Sequence, residues 1–130
     1  MSFSRINGVL HAEQCSLEQL AQQFSTPLYV YSKAAFEKHY LDMNQAFSFI
    51  DHQICFAVKS NSNIAVLNVL AKLGSGFDIV TGGELARVLA AGGDASKIVF
   101  SGLGKQEADI QKALEVGIAC FNVESYAELD

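Results

Sequence analysis

An α/β fold of parallel strand–helix units is what this sequence predicts, and three observations carry that prediction. Apolar, strand-like runs end at Val58, Val80, Ser101 and Val123, so they recur at intervals of 22, 21 and 22 residues. The segments between them place apolar residues at helical spacing, and each segment is closed by glycine: Gly74, Gly92-Gly93 and Gly117. Half of the 130 residues are apolar and 18% are charged, which gives the chain enough apolar surface to build a core and excludes disorder.

The elements follow in order. Ser16-Leu17-Glu18-Gln19 has the form of a capping box, and Leu17, Leu20, Ala21 and Phe24 continue at helical spacing. Pro27 ends this short helix, because proline cannot continue the backbone ladder. Leu28 to Tyr31 reads as a strand. Ser32 caps a second helix with the stripe Phe36, Tyr40, Met43 and Phe47. Ile54 to Val58 is a strand apolar enough to be buried on both faces. A helix over 63–73 turns Ile64, Leu67, Leu70 and Ala71 to one side. A strand over 77–80 precedes a helix over 83–91 carrying Leu85, Val88 and Leu89. A strand over 98–100 precedes a helix over 105–116 carrying Ile110, Ala113 and Leu114. The last strand is expected over 118–123, and Ser125 with Glu128 forms a second capping-box signature. The chain thus divides into an N-terminal helix, strand and helix over 1–50 and four βα units over 51–130.

An even βα beat implies right-handed parallel crossovers. Two architectures have them: the (β/α)8, or TIM-type, barrel and the open doubly wound sheet. The open sheet usually carries a glycine-rich turn after its first strand, but here that turn is Lys59-Ser60-Asn61-Ser62-Asn63. Gly102-Leu103-Gly104-Lys105 is not a phosphate-binding P-loop. No glycine stands five places before Gly104, and no serine or threonine follows the lysine. The barrel is favoured. A whole barrel takes ~250 residues, so four units are about half of one. The chain stops at Asp130, just inside a capped segment, and is expected to be a piece of a longer protein. Half a barrel leaves its first and fourth strands as open edges. Self-association, or cover by the N-terminal segment, is expected there.

Charge and composition exclude several functions. Nine Lys and Arg stand against fourteen Asp and Glu, a net charge of −5. No basic stripe is present to neutralise phosphates, so nucleic-acid binding is not expected. No apolar run approaches the ~20 residues of a membrane helix, and Met1 to Asn7 lacks the layout of a signal peptide. A soluble, cytoplasmic protein is expected. Cys15, Cys55 and Cys120 contain no CxxC, and His11, His39 and His52 are scattered. Reduced thiols and no metal site are therefore expected.

Lys59 is the candidate for chemistry. It closes the first strand of the beat, on the face where barrels place their active sites. Strand alternation puts it on one side with Cys55 and Ala57, both small enough to leave room for a group bonded to the amine. Apolar surroundings lower an amine's pKa, as a Schiff-base lysine requires. On these residues alone, the plainer reading is a lysine that snorkels from a strand end into solvent.

The wider motif resembles a known family. Phe56-Ala57-Val58-Lys59-Ser60-Asn61 is similar to the F-A-x-K-A-N motif of the fold-type III pyridoxal-phosphate (PLP) enzymes, with Ser60 in place of the usual alanine. Thr26-Pro27-Leu28-Tyr29-Val30-Tyr31 looks like the opening strand of the diaminopimelate decarboxylases in that group. Gly76-Phe77-Asp78-Ile79-Val80-Thr81-Gly82-Gly83-Glu84 resembles their second-strand motif. Ser101-Gly102-Leu103-Gly104-Lys105 resembles their third-strand turn, and Asn122-Val123-Glu124-Ser125 their fourth-strand end. The resemblance runs from residue 26 to 130, and its motifs come in the family's order. Alanine racemases carry a tyrosine where this chain has Asn63, which argues against that branch.

The resemblance implies a PLP-binding barrel in which the Lys59 amine bonds the cofactor. Ala57 would lie against the ring. Asp78 would sit near the amine and help set its protonation, and Glu84 would support the cluster. The plainer readings are a turn or capping carboxylate for Asp78 and a first-turn acid opposing the helix dipole for Glu84. Lys105 reads as a solvated lysine at a helix start. The implied activity is decarboxylation of meso-diaminopimelate to L-lysine and CO2, by a homodimer acting on a small amino acid. Ornithine/arginine, D-amino-acid and carboxynorspermidine decarboxylases remain alternatives. So do a non-catalytic PLP-binding barrel and a merely structural half-barrel. The family's phosphate loop, ring-nitrogen glutamate, substrate arginines and cysteine acid are not assignable within these residues. The segment by itself is therefore expected to be inactive and to bind the cofactor weakly.

Overall fold

The computed structural model describes residues 2–129. Seven strands and five helices follow in the order β1 (Phe3–Ile6), β2 (Val9–Ala12), β3 (Cys15–Ser16), α1 (Leu17–Phe24), α2 (Lys33–Ala46), β4 (Cys55–Ala57), α3 (Ile64–Lys72), β5 (Gly76–Ile79), α4 (Gly82–Ala90), β6 (Ile98–Phe100), α5 (Glu107–Val116) and β7 (Cys120–Phe121). Strands β4 to β7 form one parallel sheet whose spatial order is the chain order. A doubly wound sheet would reverse direction at some strand. An order without reversal is that of a barrel growing one way round its axis, the architecture the missing glycine-rich turn favoured.

The register sorts the sheet into two faces. Phe77 and Ile79 of β5 and Ile98 and Phe100 of β6 are fully buried and form one cluster with Val66, Leu67 and Leu70 of α3, Leu85 and Val88 of α4, and Ala113 of α5. The opposite face carries Cys55, Ala57, Asp78, Val99 and Cys120, aligned across the strands as Ala57–Asp78–Val99–Cys120. These side chains are half-buried or exposed. The helix side is therefore the finished core, and the other side is an open concave wall.

Several expectations need correction. The N-terminal fifty residues hold an antiparallel meander, β1-β2-β3, ahead of the predicted helix. Asn7-Gly8 is its sign in the sequence: both residues have positive φ (51° and 85°), as a two-residue hairpin turn requires. Leu28 to Tyr31 is in no strand or helix and pairs with no strand among the described residues, and Tyr29 is 85% exposed. A strand needs a partner edge, and none of the described strands offers it one. The buried stripe of α3 is Val66, Leu67 and Leu70 rather than one led by Ile64. It is still a single helical face, turned away from the first residue. The last strand shrinks to Cys120–Phe121 because Gly117 takes a left-handed conformation and Ile118 N–H bonds Ala113 O, so both residues serve to close α5. Ser125 makes no side-chain cap, and Tyr126–Glu128 is a 3-10 turn. Helix α2 starts at its predicted cap, Ser32, and packs Phe36 and Tyr40 on the core, while Met43 and Phe47 stay exposed. The outer edges of β4 and β7 have no partner among the described residues.

A carboxylate fastens the meander to α2. Glu13, at φ 53°, accepts hydrogen bonds from Ser32 Oγ (2.7 Å) and Ala34 N–H (2.9 Å), so its carboxylate sits on the N-terminus of α2. The Ala34 N–H, then the Ser32 hydroxyl, hold its pKa below the ordinary 4.5. A carboxylate depressed by folding stabilises the fold fully above its unfolded pKa and loses that contribution as pH falls through the lower folded value. The Ala34 amide proton shift, followed by NMR, should therefore titrate with a midpoint below 4.5. That titration should vanish in Glu13→Gln; a midpoint at or above the ordinary value would show that the tether does not form.

Candidate functional site

Strand β4 ends at Ala57, and a 3-10 turn over Val58–Ser60 carries Lys59. Val58 is the buried anchor of that turn, closed by Asn61 N–H on Val58 O (3.0 Å) and Ser60 Oγ on Ala57 O (2.7 Å). The alternation expected to put Lys59 on the face of Cys55 and Ala57 therefore stops at Ala57. The turn, and not the strand, aims the lysine. Its side chain is exposed at the C-terminal mouth of the parallel sheet, and no hydrogen bond or ion pair reaches Lys59 Nζ among the described residues.

Ala57 and Asp78 are neighbours in register on the open face. Asp78 Oδ1 accepts a hydrogen bond from Ser101 Oγ at 2.6 Å, and Ser101 Oγ accepts one from Asn122 Nδ2 at 2.9 Å. A polar row thus crosses the ends of β5, β6 and β7, with every donor pointing towards the carboxylate. Cys55 lies on the same face; burial, then the nearby Asp78 carboxylate, pushes its thiol pKa up. It stays a neutral, small side chain at neutral pH.

Glu84 does other work. Its Oε2 accepts from Val80 N–H (2.7 Å), while its own N–H bonds Thr81 Oγ1 (3.2 Å), so it seals the start of α4. Lys105 overturns its plainer reading. Helix α5 begins two residues later, and the Lys105 side chain is only 2% exposed. Its Nζ donates to Gly102 O and Asn122 O, each at 2.7 Å, and pairs with Glu128 at 3.4 Å. Its partners lie as far as 23 residues along the chain, beyond any local pattern. Ser101 and Asn122 open two of the quoted motifs, but the sequence assigned neither a task in the site. Each stands two residues past the aligned pair Val99 and Cys120.

Pyridoxal phosphate needs a primary amine without a competing partner, a small residue where its ring lies and a carboxylate in reach of the amine. Lys59 supplies the unpartnered amine, Ala57 the small residue, and Asp78 a carboxylate in register with Ala57 on the open face, so the residues present fit the group. Residues 33–130 match the family described as "Pyridoxal-dependent decarboxylase, pyridoxal binding domain". The chain belongs to this family of pyridoxal-dependent decarboxylases. Pyridoxal phosphate is accordingly the cofactor of this domain.

The chain is similar to the diaminopimelate decarboxylase of Haemophilus influenzae, with 64% identity over 98% of this chain and 31% of the relative. It is similar to that of Vibrio cholerae, with 59% identity over 95% of this chain and 30% of the relative. Among solved structures it resembles diaminopimelate decarboxylase from M. jannaschii in co-complex with L-lysine, with a TM-score of 0.93 and 34% identity, covering 98% of this chain and 31% of that one. The chain spans about a third of the length of the relatives it matches. Among the described residues, no helix is long and apolar enough to cross a membrane.

Proposed function

We propose that this chain is the N-terminal, lysine-bearing part of a diaminopimelate decarboxylase, which converts meso-diaminopimelate to L-lysine and CO2. The observation that carries the reading is the free amine of Lys59 at the mouth of the parallel sheet, beside Ala57 and Asp78, in a chain 64% identical to such an enzyme. Residues 51–130 are then the first four βα units of the barrel. The resemblance also supports a homodimeric whole protein in the cytoplasm.

Each residue has a task in that reaction. Lys59 Nζ would hold the cofactor through its aldehyde, and as an unpartnered amine it could take or return a proton. Ala57 leaves the ring space against β4. Asp78, with Oδ1 held by Ser101, keeps its second oxygen for a partner at the amine. Glu84 stiffens the turn from β5 into α4 through Val80 N–H. Bound pyridoxal phosphate supplies the electron sink for the carbanion left by a departing carboxylate.

The test is product analysis on the full-length protein carrying this segment. Equimolar CO2 and L-lysine from meso-diaminopimelate support the proposal. Preferential release of CO2 from L-ornithine or L-arginine would replace it with another decarboxylase of the same barrel. The segment alone, spanning about a third of its relatives' length, should release no CO2 from either.

A further inference from the structure

We infer that Lys105 is a positioning residue for the cofactor face: its buried ammonium fixes the ends of β6 and β7 and, through Ser101 and Asn122, the carboxylate of Asp78. The inference rests on the proposed function only for its cofactor readout.

An ammonium has three donors and no acceptor. Lys105 Nζ gives them to Gly102 O, to Asn122 O and to the Glu128 carboxylate, whose two oxygens lie at 3.4 Å. Glu128 is itself held by Glu124 N–H at 2.7 Å, and the Phe100 ring lies 6.0 Å from Nζ. A buried cation left without partners is strongly unfavourable, so this one dictates where its partners stand. Two of those partners are the carbonyls of Asn122 and of the residue after Ser101. The side chains of Ser101 and Asn122 are the two that form the row to Asp78. One cation therefore ties together the main chain beneath both links of that row. Lys105 reaches Asp78 only by this route, since none of its bonds among the described residues falls on β5.

A loop staple and a positioning residue differ in what else moves when Lys105 is replaced. The comparison uses the holoenzyme carrying this segment, with Lys105→Met, Ser101→Ala and both together. Lys105→Met should speed amide exchange at residues 76–80 of the cofactor-free protein by roughly tenfold. It should also cost the holoenzyme much of the circular dichroism of its cofactor band, normalised to cofactor trapped on Lys59. Ser101→Ala should do the same, and the double variant should go no further than Lys105→Met alone, because the effects share one route. Lys105→Arg, whose guanidinium can serve both carbonyls and the carboxylate, should restore most of both signals. A fall in melting temperature with unchanged exchange at 76–80 and an unchanged cofactor band would reduce Lys105 to a staple. Additive effects in the double variant would sever the route through Ser101. If Lys105→Met does not fold, Glu128→Gln is read by the same two measurements with the same expected signs. If borohydride traps no cofactor on Lys59 of the unsubstituted protein, the proposed function fails, while exchange at 76–80 still decides the clamp.

Discussion

Replacing Lys59 by alanine is expected to abolish covalent capture of pyridoxal phosphate and to lower turnover of the full-length protein by on the order of a thousandfold or more. No other lysine placed on this sheet can substitute. Lys97 donates to Gly74 O, and Lys105 is spent on Gly102, Asn122 and Glu128. Lys59 is exposed and unpartnered among the described residues, so in the cofactor-free protein the substitution should leave the melting temperature almost unchanged, within about 0.5 kcal/mol in stability. Borohydride reduction followed by peptide mapping reads the outcome. A reduced adduct on the Lys59 peptide of the parent protein, absent from the variant, is the expected result. An adduct on any other lysine would remove Lys59 from the chemistry.

The largest effect on stability should come from Phe77→Ala. Phe77 is fully buried in β5 and meets α4's closing turn, where a Cβ built on Gly93 would stand 3.1 Å from its ring. Truncation leaves a cavity between sheet and helices that the close-packed neighbours cannot fill, and such changes cost about 3–5 kcal/mol. Domains have only about 5–15 kcal/mol of total stability, so much of the fold's margin would go. Leu103→Ala, at a side chain 84% exposed, should change stability by less than about 0.5 kcal/mol. Urea unfolding of the two variants gives the contrast; a loss below about 1 kcal/mol for Phe77→Ala would mean that the sheet–helix layer is not the core.

What could be read from the sequence was what local chemistry determines. Phe77, Ile79, Ile98 and Phe100 announce their strands because both the strand pattern and burial demand apolar residues there, and the glycines mark where helices stop. Ser16, Ser32 and the Thr81–Glu84 pair cap helices with atoms a few residues away. The meander was missed because Phe3, Ile6 and Leu10 stay exposed and its strands show no apolar run, which left Asn7-Gly8 as the only sign. In the site, the pairing of Ala57 with Asp78 follows from the strands, yet the turn that carries Lys59 is a backbone event that alternation cannot foresee. The Asp78–Ser101–Asn122 row and the burial of Lys105 depend on register between strands some twenty residues apart, and no periodicity within one element encodes that.

The chain-order sheet also bears on how the molecule is assembled during synthesis. Each strand from β4 onwards docks beside the one just before it, so closing every new pair spans only one helical crossover, as between the partners Phe56 and Phe77. Low sequence separation between contacts favours fast folding. The ribosome delivers some 5–20 residues per second, so each unit has about a second or more to settle before its successor emerges. Lys105 is the exception, since it must wait for Glu128 and Asn122 before its charge can be buried. The polar lock is thus the late step of vectorial growth, set after the apolar layer beneath it has formed.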